Sequence, residues 1–243
     1  MPPHVVTPVP VQRLSRGEKL DDDCRIYNLG LSIPKREAGF PMISAILLAA
    51  GESRRMGHFK QLLQIESKTF VEKCVDTLLE AGVDEVIVVT GHRESDVRRA
   101  LGDRNVKYAH NQDYRLGMAT SIKCGVQAAS KDSRAFLISL VDQPHINSDV
   151  IRRIIDVYER MAPKIVVPTK DGRNGHPIIL DSSLREEILQ IDLQHGLRRV
   201  VHLHSNSIIK IEVPSRTVLE DCDIPEDYER IIKKITDEIP EDR

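Results

Sequence analysis

The sequence predicts a three-layer α/β/α sandwich around a mostly parallel, Rossmann-like sheet. Three observations carry that expectation. Short apolar runs such as Ile43 to Leu48 and Val86 to Thr90 recur along the chain and suit strands buried on both faces. Between them lie segments with apolar residues at helical spacing, for example Phe70, Val71, Cys74, Val75, Leu78 and Leu79. The alternation continues with no internal repeat, which argues for a single domain over residues 41–243.

Taken in order, Ile43 to Leu48 reads as the first strand of that domain, and Gly82 stops the helix that follows it. A strand at Val86 to Thr90, a short helix at Glu94 to Leu101 and a strand at Val106 to Ala109 come next. Met118 to Ala129 has helical character, and Ala135 to Val141 is a buried strand that ends at an aspartate. Val150, Ile151, Ile154, Ile155 and Tyr158 mark an amphipathic helix over Asn147 to Met161. Strands are expected at Ile165 to Val167, Pro177 to Leu180 and Ser207 to Val213, with a closing helix at Glu226 to Glu238. Residues 1–40 differ: five prolines, an acidic triplet at Asp21 to Asp23 and little periodicity read as a flexible or peripheral extension, with a short strand around Arg25 to Ser32.

Composition narrows the function classes. A net charge of −2 offers no electrostatic footprint for nucleic acid or an anionic membrane. No apolar run approaches the roughly 20 residues that span a bilayer, and the N-terminus lacks a signal-peptide pattern. Cys24, Cys74, Cys124 and Cys222 are scattered singly, which suggests neither a zinc site nor a disulfide framework. A cytoplasmic enzyme is the expectation.

In an open α/β sheet ligands bind beyond the carboxyl ends of strands, so the polar motifs found there matter most. After the first strand, Ala49, Ala50 and Gly51 leave room for close backbone approach, and Arg54, Arg55 and Lys60 add three positive charges. Such a bend suits a triphosphate, wrapped by N–H groups and neutralised by the cations. It is neither a P-loop nor a dinucleotide fingerprint, since Gly-Lys-Ser/Thr and G-x-G-x-x-G are both absent. Gly91 follows the next strand and serves either a ligand or a plain turn. His110, Asn111, Tyr114, Gly117, Met118 and Ser121 follow the one after; Gly117 opens a helix that could receive an anion, and turn and cap roles are the alternative. Asp142 ends an apolar strand where water is scarce and needs a partner; Mg²⁺ is the reading favoured over a helix cap, because the helical pattern begins only near Asn147. His176, in Gly175-His176-Pro177, contacts a substrate or is structural, and Asp223 could cap the helix near Pro225.

The pattern L-A-A-G-x-S-x-R-M-G-x-x-K, here Leu48, Ala49, Ala50, Gly51, Ser53, Arg55, Met56, Gly57 and Lys60, resembles the signature loop of the MobA/MocA-like nucleotidyltransferases related to the molybdenum-cofactor enzymes. Val141-Asp142-Gln143-Pro144 resembles the family's D-x-P motif, and Asp221-Cys222-Asp223-Ile224-Pro225-Glu226-Asp227 resembles its closing D-I-D-T-P-x-D. Gly172 to Pro177 is similar to the cytidylyltransferase run G-x-P-G-H-P, with Asn174 in place of the first proline. The motifs keep the family's order over about four fifths of the chain.

The resemblance implies a nucleotide-diphospho-sugar transferase type of fold and a Mg²⁺ cofactor held by Asp142 and Asp223. It implies Arg55, Lys60 and Asp142 as catalytic residues. Nucleotide binding falls to Leu48, Ala49, Ala50, Gly51, Ser53, Arg55, Gly57, Lys60, Gly91 and Asn111. Acceptor binding falls to Gly117, Met118, Ser121, Gly175, His176, Pro177 and Asp221. The implied reaction is transfer of a nucleotidyl group, CMP from CTP, to molybdopterin or the molybdenum cofactor with release of pyrophosphate. A sugar or polyol phosphate acceptor, GTP as donor, or a non-catalytic nucleotide-binding chaperone are the alternatives. The protein partner such a product would serve is a molybdoenzyme or its chaperone; no nucleic-acid or membrane partner is implied.

Overall fold

The computed structural model describes residues 25–27 and 42–238. In chain order these form β1 (Arg25–Tyr27), β2 (Ile43–Leu48), a small hairpin of β3 (Gln64–Ile65) and β4 (Lys68–Thr69), α1 (Phe70–Glu80), β5 (Glu85–Thr90), α2 (Glu94–Leu101), β6 (Lys107–His110) and α3 (Met118–Ala128). Then come β7 (Ala135–Leu140), α4 (Ser148–Met161), β8 (Ile165–Lys170), β9 (Arg173–Asn174), β10 (Ile178–Asp181), α5 (Arg185–Leu189), α6 (Leu197–Leu203), β11 (Ile208–Glu212) and α7 (Pro225–Glu238).

The main sheet has the order β1-β11-β8-β10-β7-β2-β5-β6, with β9 attached to β8. Only β10 and β9 run against the rest; β10 lies antiparallel between β8 and β7. The sheet is therefore mostly parallel, as its uninterrupted apolar strands predict. All six residues of β2 are buried, and they alternate between two cores. Ala45 and Leu47 face the core covered by α1, α2 and α4, whereas Ile46 and Leu48 face the one covered by α3, α5 and α6. The chain passes from β2 outward to β5 and β6 on one side, then returns through α3 to β7 on the other. The carboxyl ends of β2 and β7 thus diverge into a crevice, where a ligand site is expected.

Local sequence explains where the helices begin. Thr69 and Glu72 form a reciprocal capping box at the start of α1, the Thr69 N–H donating to Glu72 Oε2 at 2.8 Å. Asn147 caps α4 by accepting from the Val150 N–H at 3.0 Å. At Gly125 helix α3 presses onto the sheet: a Cβ there would lie 2.3 Å from Ile46 Cγ2. A third, smaller core of Met56, Ile65, Phe70, Cys222 and Ile231 lets α7 close over the β3–β4 hairpin.

Three features extend or refine the sequence reading. Strand β8 runs to Lys170, three residues past the apolar run, because β9 and β11 pair with its polar end. Helices α5 and α6 occupy a span with no announced element; each is a turn or two long and shows only a few apolar contacts, too few for a periodic signal. The strand expected within Arg25 to Ser32 is β1, paired in parallel with β11. The rest of that segment lies outside the described residues.

At the opposite edge from the crevice, Glu85 is a buried charge with a full set of donors. Ser44 Oγ donates to it at 2.6 Å and the Ser130 N–H at 3.1 Å, and Lys107 pairs with it. Burial pushes this carboxyl up, but Lys107, Ser44 and the Ser130 N–H together bring it below the ordinary carboxylate range. The folded state therefore favours the ionised form, and that stabilisation is complete above the ordinary range and lost as pH falls through the folded-state value. Glu85→Gln should cost about 1–3 kcal/mol at pH 7 in urea unfolding, and the gap to wild type should close in acid. Gly125→Ala should cost about 1–3 kcal/mol by overpacking against Ile46, with no such pH dependence.

Candidate active site

A cleft of ≈ 400 Å³ opens at the carboxyl ends of β2 and β7. Its floor is a lysine shared by two aspartates. Lys60, only 7% exposed, donates from Nζ to Asp223 Oδ1 at 2.8 Å and to Asp142 Oδ2 at 3.3 Å. Arg55 Nη2 holds the other oxygen of Asp223 at 2.8 Å. The partners come from three distant pieces of chain: the loop after β2, the end of β7 and the segment before α7.

Each piece has its own local support. In the loop after β2, Gln61 is buried and donates from Nε2 to the carbonyls of Ala49 (3.0 Å) and Gly51 (2.9 Å). Its Oε1 accepts from Ser53 Oγ at 3.1 Å, and that hydroxyl accepts from the Lys60 N–H at 3.1 Å. Ser53 takes a left-handed φ of 56° and Gly57 one of 70°, which tightens the one-turn helix Arg54–Met56 between them. Among the described residues, the N–H groups of Gly51, Glu52 and Ser53 have no backbone carbonyl partner. They are the donors that a wrapped phosphate would use. The segment before α7 is tied to β7 by the Cys222 N–H donating to the Asp142 carbonyl at 2.9 Å. Asp227 accepts from the N–H groups of Asp223 and Ile224 at 3.0 and 3.2 Å, which leaves the Asp223 side chain free to face Lys60.

Electrostatics single out Asp142. Burial pushes its carboxyl above the usual range, Lys60 opposes this, and Asp221 and Asp223 add repulsion. Its Oδ1 is buried without a protein partner. An orphaned carboxylate oxygen beside a second carboxylate is a hard-cation donor set. Among the described residues no group of three His, Cys, Asp or Glu forms a ready-made metal cage. A divalent ion would therefore draw its remaining ligands from substrate oxygens and water, which is the habit of Mg²⁺. The residues present fit that ion.

Of the residues named from sequence, Leu48, Ala50, Gly51, Ser53, Arg54, Arg55, Lys60, Tyr114, Gly117, Met118, Ser121, Asp142 and Asp223 line this cleft. Ala49, Gly57, Gly91, Asn111, Gly175, His176, Pro177 and Asp221 do not. Ala49 turns its side chain into the core and gives its carbonyl to Gln61. Gly57 shapes the loop. Gly91 packs against Tyr114 and the Ala50 carbonyl; a Cβ there would meet both at 2.8–2.9 Å. Asn111 donates to Thr120 and Ser121 at 2.9 Å each and accepts from the Asp113 N–H, so it braces the mouth of α3. Asp221 accepts from Gln143 Nε2 at 2.8 Å. Gly175 and His176 anchor by backbone bonds to Pro168 and Val218, and the His176–Pro177 peptide is cis. Burial lowers the basicity of His176, with Asp221 opposing.

Sequence reasoning missed Gln61, Glu52 and Arg115. Gln61 directly follows the motif lysine and precedes a Leu-Leu pair, a place where a buried amide has no apolar excuse. Glu52 and Arg115 form an ion pair over 63 residues, and no spacing rule reaches that far.

A doubly wound sheet with a glycine-bearing loop, a buried lysine and two carboxylates at its crevice is an arrangement suited to nucleotide polyphosphates. Residues 45–208 match the MobA-like NTP transferase domain, and the chain belongs to that family of nucleotidyltransferases. Among curated relatives, molybdenum cofactor cytidylyltransferase of Escherichia coli (strain K12) is 28% identical over 76% of this chain and 93% of its own length. Nicotine blue oxidoreductase of Paenarthrobacter nicotinovorans is 26% identical over 81% of this chain and 99% of its own. Rv0371c from Mycobacterium tuberculosis H37Rv superposes with a TM-score of 0.71 at 26% identity, covering 79% of this chain and 98% of that one; its complex with manganese gives 0.68.

If Lys60 compensates the two aspartates, Lys60→Met should lower stability by about 1–3 kcal/mol at pH 8. The deficit should narrow toward pH 5, because protonating Asp142 relieves the repulsion. Urea unfolding at both pH values decides this; equal deficits would assign the loss to packing alone.

Proposed function

We propose that this nucleotidyltransferase moves CMP from CTP to a phosphate of molybdopterin or the molybdenum cofactor, releasing pyrophosphate, in the cytoplasm. The observation that carries the reading is Lys60 buried between Asp142 and Asp223, beside a loop whose Gly51, Glu52 and Ser53 N–H groups have no backbone carbonyl partner among the described residues. The cytidylyltransferase relative supports the choice of base and acceptor. Gly175-His176-Pro177, similar to the cytidine-using branch, supports the base as well.

In this reaction an oxygen of the acceptor phosphate attacks the α-phosphorus of the nucleotide. The bond from that phosphorus to the bridging oxygen breaks, and pyrophosphate leaves with the electron pair. The acceptor phosphate is already ionised at pH 7, so the site needs no general base. The chain's work is positioning and charge neutralisation. The N–H groups of Gly51 to Ser53 orient the phosphates, and Lys60 and Arg55 turn from their aspartates to the phosphate tail and the departing pyrophosphate. Asp142 and Asp223 would hold Mg²⁺, which when bound supplies Lewis-acid charge to the phosphate oxygens. Met118 and Ser121, at the mouth of α3, border the space left for the acceptor.

The oxidoreductase relative, matched over nearly its whole length, favours a second reading in which the same sheet serves redox chemistry. The two part in one assay. Pyrophosphate release is followed with Mg²⁺, the molybdenum-loaded pterin and CTP, GTP or ATP in parallel. Turnover with CTP, reduced ~10²–10³-fold in Lys60→Ala and abolished in Asp142→Ala, is expected. Turnover with GTP instead would overturn the base assignment. Oxidation of a pyridine nucleotide with no pyrophosphate from any triphosphate would replace the proposal with the redox reading.

A further inference from the structure

The cleft holds one negative charge that nucleotidyl transfer does not require. Glu52 follows Gly51 in the phosphate-facing loop, and its carboxylate gathers donors from two loops. Arg54 Nε donates to Oε2 at 2.5 Å. Arg115 Nε donates to Oε1 at 2.8 Å and the Tyr114 hydroxyl to the same oxygen at 3.3 Å. All four residues line the cleft, so the tie joins two of its loops.

The two arginines are otherwise loosely held. Their side chains are 79% and 69% exposed, and among the described residues Arg115 has only Tyr114 besides, its ring 5.4 Å from the guanidinium carbon. Among the described residues, Glu52 is the only carboxylate that either one touches. The loops themselves have separate supports: Gln61 and Ser53 fix the first, and Asn111 with the backbone bonds Leu116 N–H to Asp113 and Gly117 N–H to Tyr114 fixes the second. Losing Glu52 would free two guanidiniums without releasing either loop.

A guanidinium fork accepts a carboxylate or a phosphate in the same geometry, and exposed pairs of this kind exchange partners readily. We propose that Glu52 is an internal anion that holds Arg54 and Arg115 over the cleft until the polyphosphate of the nucleotide displaces it. Glu52 is then a positioning residue that sets nucleotide affinity, with little part in the chemical step. The Arg115 and Arg54 guanidiniums hold its carboxyl down to about 2. Protonation therefore does not open the tie at working pH, and a competing anion does. The inference rests on the cleft being a polyphosphate site, as argued above.

Calorimetric titration of inorganic tripolyphosphate, and of CTP with Mg²⁺, into wild type, Glu52→Gln, Glu52→Asp, Arg115→Ala and Glu52→Gln/Arg115→Ala tests it. Glu52→Gln should bind tripolyphosphate ~3–10-fold tighter at low salt, the effect of removing one like charge a few ångströms from a bound polyanion, and the gain should shrink as salt screens it. Arg115→Ala should bind more weakly, the double variant should lose most of the gain, and Glu52→Asp should fall back toward wild type. In turnover the gain should appear in KM for CTP, not in kcat. Binding by Glu52→Gln that is unchanged or weaker than wild type would overturn the proposal and make Glu52 a brace. Wild type that binds neither probe would overturn the polyphosphate reading and this proposal with it; wild type that binds, with no tightening in Glu52→Gln, would overturn this proposal alone.

Discussion

The site depends on one cation. Lys60 lies 82 residues before Asp142 and 163 before Asp223, and among the described residues its buried ammonium is the only point where these three pieces of chain meet through charge. Without it, two carboxylates would face each other in a partly desolvated crevice, where like charges cost most. The Cys222 N–H to Asp142 carbonyl bond and the small core around Phe70, Cys222 and Ile231 hold the closing segment in place. That segment can approach β7 only because Lys60 makes the approach electrostatically tolerable.

The placement of Lys60 follows from the fold. Strand β2 is central and buried on both faces, so the loop leaving it must turn sharply at the sheet's end without burying unpaired carbonyls. Gln61 meets that need by donating to the Ala49 and Gly51 carbonyls, while the N–H groups of Gly51, Glu52 and Ser53 have no backbone carbonyl partner among the described residues. The residue next to Gln61 is then held at the floor of the crevice, and that residue is Lys60.

Most of the charge in the cleft is paired internally. Lys60 and Arg55 are matched by Asp142 and Asp223, while Arg54 and Arg115 share Glu52, which leaves four cations against three carboxylates. A site charged this way is stable alone, yet every pair in it can be exchanged for a phosphate or a divalent ion. Such exchange keeps the total charge of the cleft close to balance as ligands arrive. The Glu85–Lys107 pair lies outside the cleft and takes no part in this exchange.

The sequence by itself determined the sheet, because β-branched runs and helical periodicity are local signals that burial then satisfies. It also pointed to the loops that line the cleft, since Ala49-Ala50-Gly51, Asp142 and Asp223 each follow or precede an unmistakable element. Strand β8's polar end and helices α5 and α6 were not legible, being stabilised by neighbours rather than by their own pattern. Only the tertiary structure decided that Lys60 bridges both aspartates, that Gly91 and Asn111 support the cleft from behind, and that Glu52 reaches Arg115. Apart from the short-range bonds of Asn111, these are contacts over tens to more than a hundred residues, set by how the strands are ordered in the sheet, and strand order leaves no trace in the spacing of residues along the chain.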